Sequence, residues 1–238
     1  MSSIVYTNCK VALGGYNLSG VHHSLTVTYG AEMLDDTVFG TSGTRSNKPG
    51  LKTVEAVGSG FVDFEVSDSI LFNRIGANRE VMTFAADGEA VGDIAFTTRA
   101  VNATYNPLSG EVGTLLPFEF NSKSANTPLV RTNVLAFGSK VAGGNGAGVH
   151  LGAALGSGEI LYAALHVFGV GTNVAVKIQS DDNAGFTTPT DRVTFATATA
   201  IGAQWMELAG PVATDTYWRA VWTPTGGAAD IWVVFGIL

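Results

Sequence analysis

Short apolar runs that alternate with polar residues and end at glycine, asparagine, aspartate or proline fill this chain, and only one short segment reads as a helix. A period of two places successive side chains on opposite faces of a strand, so the pattern restricts the fold to one assembled from half-buried strands. From Val21 to Tyr29 the alternation sets Leu25, Val27 and Tyr29 on one face and Thr26 and Thr28 on the other. Lys52 to Phe64 continues in kind, with Val54, Ala56 and Phe61, while Gly58 and Gly60 mark a bulge or a tight backbone approach. Further strands are expected at Val81–Ala85, Asp93–Asn106 and Thr114–Asn121. The helix is expected at Ile70–Ile75, where Ser67, Asp68 and Ser69 offer N-cap side chains and Gly76 stands at the left-handed position after the last turn.

The polar run from Asn121 to Thr127, closed by Pro128, reads as a linker and divides the chain into residues 1–127 and 128–238. Beyond it, runs at Glu159–Val170, Asn173–Ser180, Arg192–Ala198, Gln204–Leu208, Thr216–Thr223 and Asp230–Ile237 are separated by turn-rich segments. That spacing predicts an antiparallel β-sandwich or jelly roll. Trp218, Trp222 and Trp232 fall in its last two strands and suit either core packing or an external contact surface. Residues 138–158 hold eight glycines and read as an irregular arm that orders on assembly.

No arrangement of side chains points to catalysis. Cys9 is the single cysteine, so neither an intrachain disulfide nor a cysteine zinc site is expected. His22 and His23 are adjacent in a strand and point apart, and neither His150 nor His166 has an acid at helical spacing. Asp35-Asp36 and Asp181-Asp182 read as solvated turn acids, and Gly58-Ser59-Gly60 lacks the strand-to-helix setting of a nucleophile elbow. Gly143 to Gly148 matches a phosphate-loop pattern loosely, without a capped helix to follow it. No cofactor and no metal are expected. No run approaches the roughly 18 apolar residues of a membrane helix, and the first residues lack a signal-peptide pattern, so folding in a cytoplasm is expected. Only 14% of the residues are charged and 30 of 238 are glycine, which leaves the neutral surface expected of a protein covered by copies of itself. The net charge of −7 opposes a high-affinity nucleic-acid groove.

Several segments together resemble the major tail protein, or tail tube, family of long-tailed bacteriophages. They are Gly15 to Gly20, Ala31 to Gly40, Arg45, Pro49 to Lys52 and Gly58 to Asp63, with Asp93 to Phe96, Tyr105 to Pro107 and Gly113 to Phe118 similar to the family's late hairpin. The resemblance covers residues 10–121. It implies an all-β fold with one short helix, a tail-tube-like sandwich or barrel in residues 1–127, and a second β-sandwich that is either appended on the tube exterior or contributes to the tube wall. It also implies a structural, non-enzymatic role. Copies would form hexameric rings stacked into a conduit in the virion tail, assembled in the host cytoplasm without membrane insertion. The expected partners are tape-measure, tail-tip and tail-terminator proteins, with genomic DNA passing through without specific binding.

Under that resemblance the segment from Leu34 to Lys52 is a long loop reaching the next ring, with Leu34, Asp35, Asp36, Phe39, Arg45, Lys48 and Lys52 as contacts. Residues 1–127 carry thirteen acids and eight bases, a net charge of −5. A lumen lined by such acids would repel phosphates over the roughly 8 Å that physiological salt allows. Glu55, Asp63, Glu65, Glu111 and Glu119, in or beside strands, are the candidates, and each fits an outer solvated face equally well. A different class remains open: a virion decoration or glycan-binding module that uses Trp218, Trp222 and Trp232.

Overall fold

The computed structural model describes residues 8–38, 44–86, 88–212 and 214–238. The chain is nearly all strand with one short helix, as the alternation requires. In order come β1 (Lys10–Leu13), β2 (Tyr16–Asn17), β3 (His22–Asp35), β4 (Asn47–Phe61), α1 (Ser69–Asn73), β5 (Glu80–Ala85), β6 (Ile94–Asn106), β7 (Pro117–Ser124) and β8 (Val130–Lys140). Then follow β9 (Gly144–Asn145), β10 (Val149–His150), β11 (Ile160–Gly169), β12 (Asn173–Asp181), β13 (Thr190–Thr194), β14 (Gly202–Ala209), β15 (Tyr217–Thr225) and β16 (Ala229–Ile237). The helix begins earlier than the Ser67-Asp68-Ser69 caps imply. A π-helical turn, Phe64–Asp68, runs directly into α1, and Asp63 caps it by accepting from the backbone N–H groups of Glu65 and Val66 at 2.9 and 3.1 Å. Gly76 has φ +77°, the left-handed conformation expected after the last turn.

Two compact units share the chain. The larger comprises Met1–Gly20, Glu80–Thr97 and Val130–Leu238, and the smaller comprises Val21–Arg79 and Thr98–Leu129. The polar run before Pro128 thus lies beside one of four crossings, and the other three, at 20/21, 79/80 and 97/98, carry no compositional mark. β6 gives its first four residues to the larger unit and the rest to the smaller.

In the larger unit one sheet runs β14-β11-β16-β8-β6-β5-β1-β2 and a second runs β10-β15-β12-β13, with β9 also paired to β15. Every pairing between these strands whose register is given is antiparallel. Leu161, Leu165, Ile231, Val233 and Phe235 of the first sheet pack against Val174, Val176, Ile178, Trp218 and Ala220 of the second. The opposite face of the first sheet is buried too, because it curls. Ala12, Val81, Ala85 and Ala95 cover Val134, Ala164, Trp232 and Val234.

This double burial corrects the external role for two of the three tryptophans. Trp218 and Trp232 are 0% and 1% exposed, and Trp222 is half-buried beneath Lys140, whose Nζ lies 4.6 Å from its ring centroid. The glycine-rich segment is likewise not a free arm, since β9 and β10 pair with β15. Its glycines serve close approach: a Cβ on Gly146 would lie 2.6 Å from the Leu135 carbonyl oxygen, and one on Gly148 2.7 Å from the Phe186 ring.

An imidazole lies within this packing. His166 on β11 is fully buried, with Nδ1 2.6 Å from the Gly14 carbonyl oxygen and Nε2 2.7 Å from the Thr83 hydroxyl. A carbonyl can only accept, so Nδ1 carries the proton and Nε2 of the neutral ring accepts from Thr83.

Candidate functional site

The smaller unit is a four-stranded antiparallel sheet in the order β3-β4-β7-β6, with the π-turn and α1 beside it. Its two faces differ chemically, and the strand periodicity is the cause. Val54, Ala56, Phe118, Phe120 and Ser122 are buried on one face, together with Leu71 of α1. Gly58 stands opposite Phe120 and Gly60 opposite Phe118. A Cβ on Gly58 would collide with the Phe120 ring, and one on Gly60 with both the Val21 carbonyl oxygen and the Phe118 ring. The tight approach expected at these glycines is therefore a pair of phenyl rings lying across the neighbouring strand. His22 adds edge-on contacts to both rings at 5.3 and 5.2 Å. The Tyr105 hydroxyl donates to Asp68 at 2.9 Å, and burial, helped by that carboxylate, pushes its phenol pKa upward.

The other face is open and polar. Its rungs across β3, β4 and β7 read Thr28-Glu55-Lys123, Thr26-Val57-Asn121 and Ser24-Ser59-Glu119, and Thr104 and Asn106 of β6 extend the last two. The Asn121 amide donates to Glu55 at 2.6 Å. On His22's neighbour, His23, the ring lies 3.3 Å from the Ser59 hydroxyl and edge-on to Phe61, which separates the two adjacent histidines as their positions predict. Of the five candidate lumen acids, only Glu55 and Glu119 belong to this face, and Lys123 stands directly opposite Glu55. Asp63 caps the helix, Glu65 lies in its first turn, and Glu111 lies in the loop between β6 and β7. Hydroxyls and amides, not carboxylates, make up most of the face.

Both margins of this sheet carry features that sequence reasoning missed. Among the described residues β3 pairs only with β4, so its outer edge has no neighbouring strand. The expected loop from Leu34 to Lys52 is largely paired: Leu34 faces Lys48, Asp35 faces Asn47 and Ala31 faces Lys52 in one long β3–β4 hairpin. A bulge between Ala31 and Met33 and the proline at position 49 hide the alternation there. Near the tip Asp36 pairs with Lys48 at 2.9 Å, and Thr37 accepts from the Ser46 backbone N–H at 3.0 Å. Asp35 is held below the usual carboxylate range by the Thr37 hydroxyl, and Asp36 by Lys48. Arg45 and Lys52 are exposed and form no ion pair among the described residues, and Phe39 lies outside the described residues.

The exposed large apolar side chains concentrate in this unit and at the two ends of its sheet. Met33, Leu34, Val38 and Leu51 surround the hairpin, while Phe61, Phe64, Leu108, Val112 and Leu115 lie at the far end of β4. The β6–β7 loop is fixed to that end by the Val62 N–H, which donates to the Leu116 carbonyl at 2.9 Å. Among the described residues no three histidine, cysteine, aspartate or glutamate side chains converge as metal ligands.

No protein-family model matches the chain, and no curated protein matches it by sequence. Among solved structures it is similar to a chain of the virion of the native gene transfer agent particle, at 10% identity and a TM-score of 0.44, over 53% of this chain and 98% of that one. It is also similar to the SPP1 Dit protein, described as a hub adsorption apparatus of phages that infect Gram-positive hosts, at 11% identity and a TM-score of 0.39, over 97% and 99%. A third similarity is to the SPP1 tail tube, at 11% identity and a TM-score of 0.42, over 53% and 78%.

Proposed function

We propose that the chain is a structural subunit of a bacteriophage tail tube. Copies join through the smaller unit into rings, hexameric by the family resemblance, and the rings stack into a conduit whose inner wall is the open polar face. The two-sidedness of the four-stranded sheet carries this reading. One face is closed by phenyl rings and the helix, the other offers hydroxyls and amides, and the edge and ends of the same sheet leave strand groups and apolar side chains uncovered. Exposed apolar groups and an open strand edge on one small unit are what neighbouring copies would cover.

The face suits the passage of DNA. Lys123 is its single cation on the three rungs and stands opposite Glu55, so there is little to displace counterions from phosphates and bind them. Tape-measure protein would occupy the conduit before the genome, tail-tip and terminator proteins would close its ends, and residues 128–238 would lie on the exterior. The role is non-catalytic and placed in the virion tail after assembly in the host cytoplasm. The alternative contact surface built on the tryptophans loses support from the burial of Trp218 and Trp232. Electron microscopy and sedimentation of the purified chain test the proposal. Rings or short tubes are expected, and a strictly monomeric species at high concentration that does not grow on seeding with tail tips would overturn it.

A further inference from the structure

We infer that the outer face of the second sheet in the larger unit holds a binding site for a small carboxylic acid, with Arg219 anchoring the carboxylate and a neighbouring cavity taking a compact apolar body. Register places Arg219 of β15 opposite Gln179 of β12, and Gln179 opposite Asp191 of β13. Arg219 donates from Nε and Nη2 to Gln179 Oε1 at 3.1 and 2.8 Å, and its Cζ lies 4.2 Å from the centroid of the Phe186 ring. Phe186 has φ +49°, a left-handed backbone that a bulky side chain rarely adopts and that surrounding structure must hold. Asp181 pins that loop, its carboxylate accepting from the backbone N–H groups of Asn183 and Thr188 at 3.1 and 2.9 Å. The guanidinium is thus fixed in one orientation over an apolar ring, and the Nη1–Nη2 end of its fork is unused among the described residues.

Charge and space select the ligand. Lys177, the cation beside this row, is neutralised by Asp191 at 2.8 Å, and Asp191 also accepts from Gln179 at 2.7 Å, so the charge of Arg219 is the one left without a counterpart. A lone guanidinium with an open fork matches a planar monoanion, a carboxylate, better than a phosphate dianion. Two residues along β15, Val221 lines a cavity of about 250 Å³ together with Ala175, Lys177, Thr194 and Thr223. Ala175 and Val221 offer methyl groups to an apolar body, and the threonines set hydroxyls at its margin. In the other direction along β15 the Tyr217 ring, stacked on His150 at 4.4 Å, bounds the site.

Titration of the full-length chain with benzoate, followed by ligand-observed NMR, tests the site, with benzamide as the neutral isostere and inorganic phosphate as the dianion. Saturable benzoate binding at millimolar concentration is expected, at least about tenfold tighter than that of either comparison ligand. Arg219→Gln should weaken benzoate at least about tenfold. Ala175→Phe, at an exposed position, should abolish binding by filling the cavity while leaving Arg219 in place. Melts monitored by circular dichroism check that each variant folds. If Arg219→Gln does not fold, Arg219→Lys keeps the charge, loses the fork and should still weaken benzoate at least about threefold. Equal binding of benzoate and benzamide, phosphate bound as tightly as benzoate, undiminished binding by either folded variant, or no saturable benzoate binding would each overturn the inference. The ring reading rests on the smaller unit and is untouched by these results.

Discussion

His166 ties the turn after β1 to β11 across the interior of the larger unit, and the groups around it are Phe168, Trp232 and two threonines, none of them charged. Burial lowers its pKa from 6.5 to about 4, only partly opposed by the bond to Gly14. The unfolded chain therefore takes up a proton near pH 6.5 that the folded chain refuses until about pH 4. Stability is complete above the first value and falls as the pH drops between the two, by about 3 kcal/mol at pH 4. Asp35, Asp36, Asp181, Asp191 and Asp215 all have lowered values, so their contributions are lost further into acid, below about 3.8. His166 therefore acts at higher pH than these aspartates, in the window between pH 6.5 and 4. Thermal melts across it should show a falling Tm for the unaltered chain and a flatter profile for His166→Gln, and equal slopes would discard the assignment. Nothing in the sequence announced this group, because its partners Gly14 and Thr83 lie 152 and 83 residues away.

At the scale of elements, Gly58 and Gly60 look equivalent in the sequence and differ in the folded sheet. A methyl group at Gly58 meets only the Phe120 ring, which can turn, whereas at Gly60 it also meets the fixed carbonyl of Val21. Gly60→Ala should therefore destabilise by roughly 2–3 kcal/mol and Gly58→Ala by about 1–2 kcal/mol, as read by urea unfolding. Reversal of that order would show that the Val21 backbone yields more easily than the ring. The strands themselves were legible wherever one face is wet. Leu25, Val27, Thr26 and Thr28 alternate in burial as they alternate in polarity, and β11, β12, β15 and β16 begin and end within two residues of the runs read for them. Extent but not facing was legible where both faces are buried, as in β16, since Ile231, Trp232 and Val233 give no clue to which side each takes. Legibility failed in the outer hairpin, where neither face is buried and nothing enforces a period of two.

For the whole molecule, the proposed contacts between copies rest on exposed apolar side chains and an open strand edge, and salt distinguishes these from contacts made by charge. Raising ionic strength from 0.1 to 1 M shortens the screening length from about 10 Å to 3 Å, which weakens exposed ion pairs while leaving apolar burial intact. The ring population measured by sedimentation should therefore persist as sodium chloride is added, and its loss would show that charge holds the copies together. The four crossings of the chain bear on heredity as well. Recombination exchanges contiguous stretches of a gene, and a single joint at 129/130 would leave β1, β2 and β5 from one parent to complete a sheet whose β8, β11, β14 and β16 come from another. Descent should therefore carry the two units as one linked block, with their matched strands changing together.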